Sequence, residues 1–126
     1  MALFGHDVAL LITGSASLAM GLRALLLSVP PIKRVEHVSG VADLLERVAE
    51  RRPALVVLDC NVMNGRLPEL LPALHHLSPQ TRRLILSDHV SEMRELSASG
   101  METVIIKGAH PGGLATAIES LLDSNH

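Results

Sequence analysis

A strand-like stretch followed by a stretch of helical periodicity recurs five times along this 126-residue chain. That alternation limits the fold more than any other feature. Val8–Ile12 and Ala54–Leu58 are unbroken apolar runs, short enough for strands buried on both faces. Ile32–Val38 sets Val35 and Val38 among charged residues and reads as a more exposed edge strand. Arg83–Leu86 and Thr103–Ile106 complete the set. Between them, Leu18, Leu22, Leu25, Leu26 and Val29 fall at helical spacing, with Ser15 or Ser17 available as N-cap and Pro30-Pro31 as the stop. Val41, Leu44, Leu45, Val48 and Ala49 make a second amphipathic helix that ends before Pro53.

The third helix carries Leu67, Leu70, Leu71, Leu74 and Leu77. Pro68 suits its first turn, whereas Pro72 would cost about 3 kcal/mol if it removed an interior hydrogen bond. With a late helix start Pro72 does less harm. Ser91–Ser99 reads as a short polar helix with Met93 and Leu96 on one side, closed by Gly100. Leu114 to Leu122 is the last helix, with Leu114, Ala117, Ile118, Leu121 and Leu122 inward. Short connections between apolar strands and helices predict a parallel sheet with helices on both faces.

The length fits one domain, residues 1–126, with no linker or low-complexity segment. Hydrophobic residues make up 48%, ample for a core, and with one Phe and no Tyr or Trp that core is aliphatic. Lys and Arg number 11 against 13 Asp and Glu, so no basic surplus marks a nucleic-acid footprint. Cys60 is the only cysteine, which excludes an internal disulfide and fits a reducing cytoplasm. No apolar run approaches the ~18 residues of a membrane span, and Asp7 stands where a signal peptide would carry basic residues.

Open parallel sheets bind ligands outside the carboxyl ends of their strands, where the strand order switches. The residues at those ends are Thr13 and Gly14, Asp59 and Cys60, Ser87 and Asp88, and Lys107. Asp59, Ser87 and Lys107 bring a carboxylate, a hydroxyl and an ammonium to one edge from distant parts of the chain. Here the sequence resembles the receiver domains of two-component response regulators, over essentially its whole length. The resemblance is carried by the strand–helix order, LDCNVMNG around Asp59, LILSD at Ser87, VIIK at Lys107 and GLRALL in the first helix. The last stretch is most similar to receivers of LuxR-like transcription factors. The resemblance implies a flavodoxin-like α/β sandwich, (βα)5, with strand order 2-1-3-4-5. It implies that Asp59 is the phosphoacceptor position, that Ser87 binds the phosphate, and that Lys107 pairs with it.

Several positions depart from the family pattern. Receivers carry two adjacent acidic residues after the first strand that help hold Mg²⁺; those positions are Thr13 and Gly14 here. Mg²⁺ wants carboxylate oxygens and waters, so Asp59 alone makes a poor ligand set. The expectation is therefore no bound cofactor, with Mg²⁺ relevant only if phosphorylation survives. Asp88 replaces a small residue at the pocket border and adds negative charge. Val104 stands where many receivers carry a switch aromatic, and its stiff χ1 cannot swing as a ring does. Asp59 then reads as a retained structural carboxylate paired with Lys107 and Ser87.

Other candidates have plainer readings. His75-His76 point about 100° apart on a helix and suit solvated surface better than one metal ion. The remaining histidines, His37 among them, show no ligand spacing. Cys60 reads as packing, and Gly14-Ser15 lacks the glycine spacing and Lys of a phosphate loop.

The leading expectation is a non-enzymatic, phosphorylation-independent receiver, or pseudo-receiver. The resemblance implies a homodimer through the fourth helix, fifth strand and last helix, here Met93, Arg94, Glu95, Met101, Glu102, Ala115, Thr116 and Glu119. A DNA-binding output domain, attached or separate, would do what this stretch has no motif for. One alternative is a weak phosphoacceptor at Asp59 fed by a histidine kinase. Another is a small-anion site around Thr13, Gly14 and Lys107.

Overall fold

The computed structural model describes residues 7–30, 32–59, 66–87, 102–106, 115–116, 118–120 and 122. Its strands are β1 (Val8–Ile12), β2 (Arg34–His37), β3 (Leu55–Asp59), β4 (Arg82–Ser87) and β5 (Glu102–Ile106). They form one sheet in the order β2-β1-β3-β4-β5, every pair parallel. The order expected from the receiver resemblance is the one found, and the fold is flavodoxin-like. Helices α1 (Ala16–Leu27), α2 (Val41–Arg51) and α3 (Leu67–Leu77) lie between strands. Residues 115–116, 118–120 and 122 are helical, as expected for the last helix. The helix expected over Ser91–Ser99 lies outside the described residues.

Strand alternation divides the core in two. Leu10, Ile12, Val56, Leu58 and Ile85 face α2 and α3 and pack on Leu44, Val48, Leu70 and Leu74. Ala9, Leu11, Leu55, Val57, Leu84 and Leu86 face the other way, onto Leu22, Leu26 and Ile118. β1 and β3 are buried throughout, which is why they read as unbroken apolar runs. β2 sits at the edge, and its Glu36 is clamped by Arg47 and Arg51 of α2. Arg47 also bonds Asp43, and that hydrogen bond is the main cause raising the guanidinium above its ordinary pKa.

Helix ends follow local chemistry. The Ser15 side chain accepts from the Leu18 N–H at 3.2 Å and caps α1, settling the choice between Ser15 and Ser17. α2 ends with Arg52 in the left-handed region at φ 45°, directly before Pro53. α3 starts at Leu67, so Pro72 lies inside it and the late start that would spare it does not occur. The carbonyl that loses its donor belongs to Pro68, four residues back. Pro68 and Pro72 are both exposed, so that carbonyl can bond water, while Leu67, Leu70, Leu71 and Leu74 are buried on the opposite side.

At the amino end of the sheet, the buried Thr81 hydroxyl donates to the Pro53 carbonyl at 2.6 Å and lies 2.7 Å from the Ser78 hydroxyl. This ties the entry to β3 to the entry to β4.

Candidate functional site

β1 and β3 are neighbours, while β2 lies outside β1. The chain runs outward after β1 and returns past it to β3, so their carboxyl ends border the switch point of the sheet. Thr13 follows β1 and Asp59 closes β3. Asp59 is thus the last strand residue rather than the first loop residue. By alternation Thr13 shares a face with Ala9 and Leu11, and Asp59 with Leu55 and Val57. Both side chains point to the α1 side, where they meet.

The Thr13 hydroxyl donates to Asp59 Oδ2 at 2.8 Å. Both residues are buried, at 6% and 3% exposure, so the bond forms away from bulk water. An ionised carboxylate can only accept, which fixes the direction of the bond. Thr13 is one of the partners that hold Asp59. The same Thr13 oxygen accepts from the Ser15 N–H at 3.3 Å, joining it to the cap of α1. Gly14, between them, is exposed and adds no side chain.

His37 is the site residue that the sequence did not reveal. Its Nε2 lies 3.2 Å from the Thr13 carbonyl oxygen. The ladder explains why. The Val38 N–H donates to Leu11 O at 2.8 Å, and two residues further on the parallel ladder would offer Thr13 O to another strand amide. β2 has ended by then, and the imidazole of its last residue supplies the donor instead. A histidine without metal-ligand spacing carries no sequence signal for such a role. The signal that existed was positional: His37 ends the strand beside β1.

The other expected site residues are described in part. Ser87 is the last residue of β4, one step beyond Leu86, which is in register with Asp59. Val104 lies in β5 in register with Ile85, and Ser87 pairs with Ile106. Cys60, Asp88 and Lys107 lie outside the described residues, and so does the expected pairing of Asp59 with Lys107. Among the described residues, no three His, Cys, Asp or Glu side chains cluster to hold a metal ion. Thr13 directs a proton, not a lone pair, at Asp59, and Gly14 has no side-chain ligand atom. These residues do not fit a Mg²⁺ site of the receiver kind.

Of the expected dimer-face residues, Ala115 is half-buried and Thr116 and Glu119 are exposed. Glu102 opens β5; Met93, Arg94, Glu95 and Met101 lie outside the described residues. A groove of about 180 Å³ runs between α2 and α3, lined by Val41, Leu45, Arg66, Glu69, Leu70 and Ala73. It lies on the opposite face of the sheet from Asp59. Among the described residues no helix is long and apolar enough to cross a membrane.

No protein-family model matches the sequence, and no curated protein matches it either. Solved structures do. A two-component response regulator of the LuxR family from Aurantimonas sp. SI85-9A1 superposes with a TM-score of 0.78 at 21% identity, covering 94% of this chain and 86% of that one. A CheY-like response regulator receiver domain protein from Methanospirillum hungatei JF-1 gives 0.78 at 19% identity, covering 95% and 96%. The signal receiver domain of an HD domain-containing protein from Pseudomonas fluorescens Pf-5 gives 0.79 at 19% identity, covering 100% and 93%. The strand order, the buried aspartate at the end of β3 and these superpositions agree: the chain has the fold of a response-regulator receiver domain.

Proposed function

We propose that this chain is an atypical receiver that regulates through protein contacts, without a phosphoryl group on Asp59. The observation that carries the reading is the Thr13 hydroxyl bonded to Asp59 Oδ2 at 2.8 Å, where a phosphorylated receiver needs acidic metal ligands. A nucleophilic carboxylate oxygen must be free to attack, and a metal must neutralise the charge that gathers during transfer. Here one carboxylate oxygen is engaged by a buried donor, and among the described residues the side chains at this edge that could face a metal are one carboxylate and one hydroxyl. The same bond gives the Asp59 carboxylate a buried donor at the carboxyl edge of the sheet.

In this reading the domain is a cytoplasmic, non-enzymatic module of a two-component pathway. Its output domain is attached or acts in trans, as the LuxR-family neighbour's name suggests by analogy. The fourth helix, β5 and the last helix form its homodimer face, with Thr116 and Glu119 exposed there.

The test is beryllofluoride with Mg²⁺, followed by backbone NMR shifts, on this chain and on Asp59→Asn. A pseudo-receiver shows no Asp59-dependent response up to millimolar Mg²⁺. Shifts around Asp59 and Ser87 that vanish in Asp59→Asn would restore the alternative, a phosphoacceptor fed by a histidine kinase.

A further inference from the structure

The outer face of α1 is unlike the rest of the described surface. Met20 is 75% exposed and Leu27 39%, and these are the two large hydrophobic residues exposed among those described. Both lie on α1, two turns apart, on the same side. At 100° per residue, Ala16, Met20, Ala24 and Leu27 form one stripe, all exposed. Ser17, Gly21 and Ser28 flank it on one side, and Arg23 lies at the other edge. This outward arc of about 160° carries one charge. α2 and α3 differ: the outward side of α2 carries Glu46 and Glu50, and that of α3 carries Glu69, His75 and His76. A helix that is apolar all round is ordinarily covered.

Gly21 points the same way. A mid-helix glycine costs stability relative to alanine. A Cβ built there meets nothing within 4 Å, so no contact within the chain requires its absence. Close approach of another backbone would.

We propose that the outer face of α1 is a self-association surface that meets the same face of a second copy in antiparallel fashion. The surface is self-complementary in size. A twofold axis at the level of Leu22 brings Met20 to the level of the partner's Ala24, and Leu27 to the level of the partner's Ser17. Each large side chain then meets a small one, as an isologous contact needs. Charge permits the pairing: the stripe is neutral, and the two Arg23 guanidinium groups stay at its rim in water. Area sets its strength. A helix of this length is about 18 Å long, so one face falls well short of the ~800 Å² per partner of a stable complex. The dimer therefore forms only as concentration rises. It is separate from the homodimer face proposed above.

Sedimentation equilibrium from about 10 µM to about 1 mM tests it on the chain, on Thr116→Arg, which disables the last-helix face, and on Met20→Glu and Ala24→Glu added to Thr116→Arg. In Thr116→Arg the weight-average mass should still climb towards a dimer, and in the parent chain at least as far. Met20→Glu and Ala24→Glu in that background should weaken association at least tenfold. Both positions are exposed, so circular dichroism should match Thr116→Arg; a variant that fails this check is set aside and the other decides. A monomer at every concentration in Thr116→Arg overturns the proposal, and so does association in that background that survives both α1 variants.

Discussion

Replacing Thr13 by Val tests the central contact of the site. Valine keeps the branched shape of threonine, so packing around β1 hardly changes, but the donor to Asp59 Oδ2 is lost. A hydrogen bond to a charged group contributes about 1.5–3 kcal/mol, and one to a neutral group about 0.5–1.5 kcal/mol. The bond is 2.8 Å long and both residues are buried, so the upper part of the first range applies. Thr13→Val should therefore lower stability by about 2–3 kcal/mol in the parent chain. In an Asp59→Asn background, the same substitution should cost only about 1 kcal/mol. The coupling, about 1–2 kcal/mol, comes from a double-mutant cycle measured by urea unfolding with a common m-value. If Thr13→Val costs the same in both backgrounds, or under about 0.5 kcal/mol in the parent, Thr13 is not holding a buried carboxylate anion and the account of the site is wrong.

Three further outcomes can be read by thermal or chemical unfolding. Thr13→Asp combined with Gly14→Asp should rebuild an acidic pair beside Asp59. That variant should be less stable than the parent without metal and should gain several degrees with millimolar Mg²⁺, while the parent does not respond. Gly21→Ala should stabilise the chain by about 0.5–1 kcal/mol, because the site is helical and open around the missing Cβ. Thr81→Val should cost about 1–3 kcal/mol, because it strips the donor from the buried Pro53 carbonyl and the partner from the Ser78 hydroxyl.

The middle of the sheet was legible in the sequence because β1 and β3 are buried on both faces. Val8–Ile12 is the strand found, and the third strand moved by one residue at each end, from 54–58 to Leu55–Asp59. That shift has a physical origin. Apolarity marks where a strand is buried, but ladder bonding marks where it ends, and Asp59 still pairs with Leu86 although it is charged. Pro72 lies inside α3, where the cost of a lost hydrogen bond depends on where the orphaned carbonyl points. Pro68 and Pro72 are both exposed, so the Pro68 carbonyl is open to water.

The site was legible in a different way. Asp59 and Thr13 stood out by sitting at strand ends, and the departure at Thr13 foretold a loss: a missing metal ligand. What replaces the ligand was not foretold. A hydroxyl beside a buried carboxylate is an addition as much as a deficit, because it supplies a proton where an acidic residue would add repulsion. His37 extends the same logic. It takes over the Thr13 carbonyl where β2 stops, so three adjacent strands, β2, β1 and β3, are linked at their carboxyl ends through one threonine. In a phosphorylated receiver that edge must rearrange around a metal and an incoming phosphoryl group. Here Asp59 Oδ2 and the Thr13 carbonyl are already bonded within the chain. On the proposed reading, the carboxylate that ends β3 works as part of the frame, and regulation passes to the helical surfaces the frame holds in place.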